Sequence, residues 1–582
     1  MTTAGLTAAV VPRARSRSGW PALMIGIAGV ASLFVLGLVL VVFWLSFVEG
    51  QPGEPITDYT VDHYFEVFLD PFTYRVIYNT LVFSGVTLVV AMLIGVPIAW
   101  LLERTDFPMK TAVFTMMTMG LVVPGFAVAI GWQMLLHPRI GIINQWLVSA
   151  LGIAGSPFDV GTLFGMGWVQ GLSLAPVAFV MTAVVFRSMD ASLEEAAQMG
   201  GANLRQMLAR VTVPLVWPGV LAASIYIFTI GFAAFDIPAI IGLGVNLFTF
   251  STYAYEQVSP AQQLPQYGPV AALSGVMVLL ALVLSWWYAR VQRRAPQYAV
   301  ITGKAYRPRL VDLGRGRAVA VAFVVVYLLL SQALPVAALI WASLLPFPQP
   351  PTAEALAAAS LANYSNLNLE IVGRGVRNTA ELMAITPTIT VAVSFAISWV
   401  VLRSGLRFRQ VFDFAAFLPH TVPTIVFSMA ALLLTLFVLQ QVVPIYGTIW
   451  VLVLVYVIAR ISYGTRVTNS AMIQIHRELE EAAQISGAGV GGIVRSVLAP
   501  LLKPAMMYAW IWIALLTYRE LTLPVLLSTN DNLPLAVVVW NFWLGSLYGP
   551  SAATAVLMLV IMVPIVFAAW WLALRRDVAL SR

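Results

Sequence analysis

Charged side chains make up only 10% of this 582-residue chain, so the places where they occur are informative. Two adjacent acids lie in the string LEEAAQ at 193–198, and the same six residues recur at 479–484. Glu195 and Glu481 each precede a proline, Pro214 or Pro500, by 19 residues. Ala196, Ala197 and Gly201 are matched by Ala482, Ala483 and Gly487. Five further ionisable residues fall within long apolar runs: Asp236, Arg460, Arg466 and the pair Arg519-Glu520. Pro238 and Pro524 follow Asp236 and Glu520 closely. Charges in such surroundings are costly and mark pathways, relays or interfaces. Either they line a route for solute or they hold parts of the molecule together. Other chemistry has few carriers. Cysteine is absent, which excludes disulfides, thiolate metal sites and a thiol nucleophile. The four histidines (His63, His137, His420, His476) are scattered and form no HExxH pattern. No catalytic group, metal site or cofactor is expected.

The elements that carry these residues must be membrane helices. Hydrophobic residues make up 60% of the chain and its mean hydropathy is +0.89, whereas soluble domains have roughly 25% charged residues. Runs such as 21–47 exceed the ~20 apolar residues that a helix needs to cross a bilayer. Backbone polarity leaves helix bundles or closed barrels, and long uninterrupted runs select helices. The expected fold is an all-α polytopic membrane protein. Twelve spans are placed near 21–47, 77–102, 112–136, 163–187, 217–243, 268–289, 318–343, 376–402, 411–438, 447–471, 505–527 and 552–574. The first is too long for a signal-peptide core and no A-x-A site follows it, so it reads as an uncleaved span.

Sidedness follows from Lys and Arg. The segments 1–20, 103–111, 187–216, 290–317, 403–410, 474–503 and 575–582 hold 25 of the 32 basic residues. The stretch 48–76 has six acids against Arg75 alone. By the positive-inside rule both termini and both LEEAAQ segments are cytoplasmic. The net charge of +7 is accounted for by these loops and calls for no nucleic-acid partner.

The repetition extends beyond one string. Asn79-Thr80 matches Asn378-Thr379, Arg104 matches Arg403, and Val123-Pro124 matches Val422-Pro423, all 299 apart. From LEEAAQ onward the offset is 286, pairing Pro214, Pro218 and Pro238 with Pro500, Pro504 and Pro524. The first half therefore carries 13 extra residues, expected in the outer loop around HPRIGIINQWL. Six spans per half give two parallel repeats about an axis along the membrane normal. The divisions are a tail at 1–20, a first unit at 21–289, a basic linker at 290–317, a second unit at 318–574 and a tail at 575–582.

On a helix, Leu193, Ala196, Ala197 and Gly200 share a face of small and apolar groups, and Glu194, Glu195 and Gln198 lie mostly off it. Gly201 permits a sharp turn into a second amphipathic stretch, LRQMLARVTVP, with Pro214 at the entry to the next span. Small side chains allow close approach, and the acids can meet a partner.

Glu195-Ala196-Ala197-x3-Gly201 with Val211-x-Val213-Pro214, and Glu481-Ala482-Ala483-x3-Gly487 with Val497-x-Ala499-Pro500, resemble the permease signature of binding-protein-dependent ABC importers. Ala499 is a small departure. The resemblance covers about 77–289 and 376–572. It implies the ABC importer permease fold and makes 191–215 and 477–501 coupling segments seated on an ATP-hydrolysing subunit. Two fused units resemble the iron(III) permeases dependent on a ferric-binding protein, most closely in FDIPAIIGLG (235–244), TYRELTLPVLL (517–527) and TGKAYRPRLVDLGR (302–315). Thiamine, polyamine, phosphonate and organophosphate permeases are alternatives. The implied partners are two copies of a cytoplasmic ATPase, a periplasmic or lipid-anchored receptor and the bilayer of a bacterial inner membrane. The chain itself has no GxxxxGK[ST] loop with which to bind ATP. An ion-coupled secondary transporter also suits two parallel six-helix halves, but it gives no reason to repeat LEEAAQ. An intramembrane enzyme is disfavoured by the sparse histidines and the missing cysteine.

Overall fold

Apolar runs separated by short polar connections become a helical bundle in the computed structural model, which describes residues 19–50, 58–153, 155–190, 192–259, 264–292 and 310–580. Arg13, Arg15, Arg17 and most of the basic linker lie outside the described residues. Among the described residues, ten helices are long and apolar enough to cross a membrane, and two bent pairs raise the number to twelve if each is one span. The bent pairs are Lys110–Gly120 with Gly125–Leu136, turned by 95°, and Arg409–Thr421 with Thr424–Val438, turned by 108°. Each break falls at a repeated Val-Pro. Proline lacks an N–H and disfavours helical backbone in the residue before it. Val422 is accordingly extended (φ −81°, ψ 134°), and the second arms start just after Pro124 and Pro423.

The fifth and eleventh spans differ from expectation at both ends. They run Leu204–Ala233 and Val490–Tyr518 instead of 217–243 and 505–527. At the start, the second amphipathic stretch of each unit is continuous with the span through a wide turn, Leu208–Thr212 in the first unit and Val494–Leu498 at the matching place in the second. Widening the ladder lets Pro214 and Pro500 pass without a break. At the finish, the two units differ: the first breaks at Ala234-Phe235 and resumes as a short helical segment that carries Asp236 and Pro238, whereas Glu520 and Pro524 follow the end of the eleventh span on irregular backbone. Non-helical backbone at this depth is tolerated where protein surrounds it or it lines a cavity.

The repeated Asn-Thr pairs explain how the chain returns. Asn79 Nδ2 donates to Phe248 O at 3.0 Å, and Thr80 Oγ1 accepts from Phe250 N at 2.8 Å. In the second unit Asn378 Nδ2 donates to Asp531 O and Leu533 O, and Thr379 Oγ1 accepts from Leu535 N at 2.9 Å. Each pair fastens the start of a short helix, the mixed Phe250–Val258 or the apolar Leu535–Leu544, to the second span of its unit. The first spans are exchanged. Trp20–Leu45 packs against the second unit's Leu369–Arg403 and its bent pair, and Leu334–Ser343 packs on Gly125–Leu136 of the first. The extra outer-loop residues form the helix Ile142–Leu151, which has no counterpart in the shorter connection after Val438.

Candidate functional site

The LEEAAQ strings form the helices Ser192–Met199 and Arg477–Ile485. Both end in the same cap. Ala202 N bonds to Ala197 O and Ala488 N to Ala483 O, while Gly201 and Gly487 take φ of +82° and +86°. This is the left-handed position at which glycine alone is unstrained. Neither glycine has a heavy atom near its missing Cβ, so the requirement is one of backbone, not of space. Ala196, Glu481 and Ala482 are exposed, and Glu195, Ala197 and Ala483 are half-buried. Met199 is 87% exposed and Ile485, its repeat mate, 89%. Each turn thus presents one bare apolar side chain beside small residues and an acid.

The first acid of each string has a different task, which the sequence reading did not assign. Glu194 is buried, accepts from Thr212 Oγ1 at 2.6 Å and faces Arg104 Nε at 3.8 Å. Glu480 pairs with Arg403 Nε at 2.6 Å. Arg104 also donates to Met189 O, and Arg403 to Met472 O and Ile475 O. The end of each second span is therefore pinned to the chain entering the LEEAAQ helix. The matched Arg104 and Arg403 were the available signal, since a repeated arginine beside a repeated acid suggests a pair.

The intramembrane charges divide into two groups. Asp236, Arg460, Arg519 and Glu520 come together where the units meet. Arg460 pairs with Glu520, whose other oxygen accepts from Leu523 N at 3.3 Å. Arg519 reaches across to the first unit and donates to the carbonyls of Leu121 and Val123. Asp236 Oδ1 accepts from Thr522 Oγ1 at 3.1 Å, and a methyl group at Gly125 would come within 3.1 Å of Asp236 Oδ2. The break at Pro124 thus has a guanidinium on the carbonyl end of one arm and a carboxylate beside the amide end of the other. Both charges match the helix-end dipoles. Arg460 Nε and the Tyr456 hydroxyl, four residues apart on one helix, are buried with no hydrogen-bond partner among the described residues.

Arg466 stands apart. Its guanidinium lies 4.7 Å from the Phe417 ring centre, next to His420, which stacks on Tyr226 of the first unit at 5.2 Å. Pro238 and Pro524 shape the turns behind the cluster without touching its charges through any bond described. Repeat mates of Arg460, Arg519 and Glu520 are Leu174, Ala233 and Ala234, so the cluster belongs to one side of a nearly symmetric frame. Among the described residues no three His, Asp or Glu side chains are placed to hold a metal ion.

The sequence pattern of the family described as binding-protein-dependent transport system inner membrane component matches residues 91–296 and again 388–578. The ferric transport system permease protein of Actinobacillus pleuropneumoniae is 22% identical over 93% of this chain and 76% of its own length. An Fe(3+)-transport system permease protein of Haemophilus influenzae is 22% identical over 89% of this chain and 96% of its own. The spermidine/putrescine transport system permease protein of Haemophilus influenzae is 24% identical over 44% of this chain and 88% of itself.

Proposed function

The chain belongs to the binding-protein-dependent transport system inner membrane components, and from that premise we propose that it moves iron(III) or a ferric chelate inward, driven by a separate ATPase. It is a multi-pass permease of the ABC importer type, and membership of that family removes the ion-coupled secondary transporter. The coupling assignment is supported chiefly by two glycine-capped turns, each with a bare apolar residue, small side chains and an acid at matched positions. One ATPase subunit would seat on each, with Glu195, Ala196, Ala197 and Gly201 at one and Glu481, Ala482, Ala483 and Gly487 at the other. Movement of either helix would pass through Arg104–Glu194 or Arg403–Glu480 to a span end.

The pathway would run past Asp236, Arg460, Arg519 and Glu520. Buried polar atoms without partners cost about 1–3 kcal/mol each, so Arg460 Nε and Tyr456 favour a route that admits water or solute. A loaded receptor would dock on the outer loops, and by linkage it would favour ATPase closure as much as closure favours docking. With both termini cytoplasmic, the basic segments stay on the ATPase side. The iron reading is supported by similarity to ferric permeases along most of the chain. The test is ATP-dependent uptake in proteoliposomes holding the permease and its ATPase, with receptor loaded with radiolabelled iron(III) outside. Uptake of iron but not spermidine supports it. Uptake of spermidine alone would replace the substrate and leave the importer class intact.

A further inference from the structure

A groove of about 530 Å³ opens along the second unit between the second and fifth spans of that unit. Val391, Met506, Met507 and Trp510 form its walls, Ala499 and Pro500 close one end, and Arg495 and Lys503 stand along it. Both cations are exposed, and neither has an ion-pair or hydrogen-bond partner among the described residues. No acid lines the groove. The Trp510 Nε1 hydrogen is already given to Thr388 Oγ1 at 3.0 Å, which leaves the indole to act as an apolar wall. The cations lie at the end of the span nearest the coupling segment, and the apolar walls extend away from them into the bilayer.

Geometry also indicates which way the groove faces. Tyr226 on the first unit's fifth span stacks on His420 of the second unit, so its repeat mate Trp512 marks the face of the eleventh span turned toward the other unit. At 100° per residue, Lys503 and Trp510 lie about 180° and 200° from Trp512. They face away from the inter-unit axis, toward lipid. The corresponding first-unit residues are Ala209, Trp217 and Ser224, so neither the fold nor the coupling role requires two cations here.

We propose that this groove binds one anionic phospholipid, with its phosphate between Arg495 and Lys503 and an acyl chain along Met506, Met507 and Trp510. Basic pockets between spans on this side of a membrane suit anionic headgroups, and long cationic side chains can lay their stems on the apolar wall. The site is independent of what the permease transports.

The experiment uses the full-length chain, delipidated in a neutral detergent and titrated with phosphatidylglycerol, phosphatidylcholine or inorganic phosphate, with bound lipid counted by native mass spectrometry. The wild type should retain one phosphatidylglycerol in preference to phosphatidylcholine. An Arg495→Gln, Lys503→Gln variant should bind it about ten-fold more weakly or worse, the loss expected when two cations no longer act on one headgroup. The exchange Arg495→Lys with Lys503→Arg should preserve binding and show that the fold tolerates change here. Arg205→Gln with Arg210→Gln in the first unit should have no effect. Equal retention of both lipids, an undiminished count in the double Gln variant, or displacement of the lipid by inorganic phosphate would overturn the proposal.

Discussion

The Asp236 carboxylate accepts a hydrogen bond from the Thr522 hydroxyl at 3.1 Å, and the two residues occupy the same position in the two halves of the chain, 286 apart. They meet where the axis relating the units passes. The rings of Phe235, Tyr255 and Trp540 meet nearby, at 5.6–6.0 Å. An acid on one side and a hydroxyl on the other make this contact directional. Asp236→Asn keeps an acceptor but removes the charge beside the helix that begins at Gly125, an interaction worth about 0.3–2 kcal/mol. Transport should fall more in Asp236→Asn than in Thr522→Val, with both proteins inserted at normal abundance. Equal, small effects would reduce Asp236 to a packing residue.

Arg519 tests the other side of the same break. Its bonds to Leu121 and Val123 hold one arm of a bent span of the first unit from the second unit. Bonds from a charged donor contribute about 1.5–3 kcal/mol, so Arg519→Gln should lower the melting temperature and raise ATP hydrolysis in the absence of receptor. Lysine has no planar fork to share between two carbonyls and should rescue only in part. Unchanged basal hydrolysis in Arg519→Gln would show that its bonds to Leu121 and Val123 do not restrain the resting permease.

The Arg403–Glu480 pair is largely shielded, with side-chain exposures of 10% and 13%. Breaking such a pair by removing one partner costs about 3–5 kcal/mol. Arg403→Gln should therefore leave the ATPase bound but reduce the transport obtained per ATP hydrolysed. Exchanging the pair, Arg403→Glu with Glu480→Arg, should restore part of it. Loss of the ATPase itself in Arg403→Gln would show that the arginine shapes the docking surface and does not transmit motion.

In the described last part of the linker, Val311 and Leu313 clasp the first unit. Val311 N bonds to Arg104 O, Asp106 N to Val311 O, and Leu313 N to Asp106 Oδ1, with Arg317 beside the same carboxylate. The Leu313 amide, and then Arg317, hold the Asp106 carboxyl below its ordinary value of 3.8. A lowered carboxylate value means that the clasp is present above the ordinary range and is lost only as pH falls through the lowered one. Hydrogen exchange at Leu313, corrected for intrinsic rate, should therefore be flat throughout the neutral range. Asp106→Asn should speed it at any pH. Protection that changes near neutrality would point to another group.

Hydropathy was enough to read the helical class and the approximate spans, because bilayer thickness and backbone desolvation leave few options. The Val-Pro breaks could be anticipated as kinks, but not that Arg519 from the other unit and Asp236 from the same unit would meet the two arms of the break at Pro124. The ends of the fifth and eleventh spans could not be read. Apolar sequence continues past Ala233 and Tyr518, but the span helix breaks at 234–235 in the first unit and ends in the second, since protein contacts replace lipid there. Asn79 and Thr80 were visible as a repeat, but their bonds to residues about 170 positions away were not. In LEEAAQ the two acids look alike in sequence. Burial separates Glu194, turned inward onto Arg104, from Glu195.

If the LEEAAQ turns seat the ATPase, the Glu195→Lys, Glu481→Lys double variant should lose it. Glu194 and Glu480 remain in place, so the internal pairs to Arg104 and Arg403 are kept. The measurement is co-purification of the ATPase with this variant, together with receptor-stimulated ATP hydrolysis. The variant should insert correctly, no longer retain its ATPase and show no stimulated hydrolysis. A variant that keeps the ATPase and hydrolyses ATP at the wild-type stimulated rate would contradict this seating.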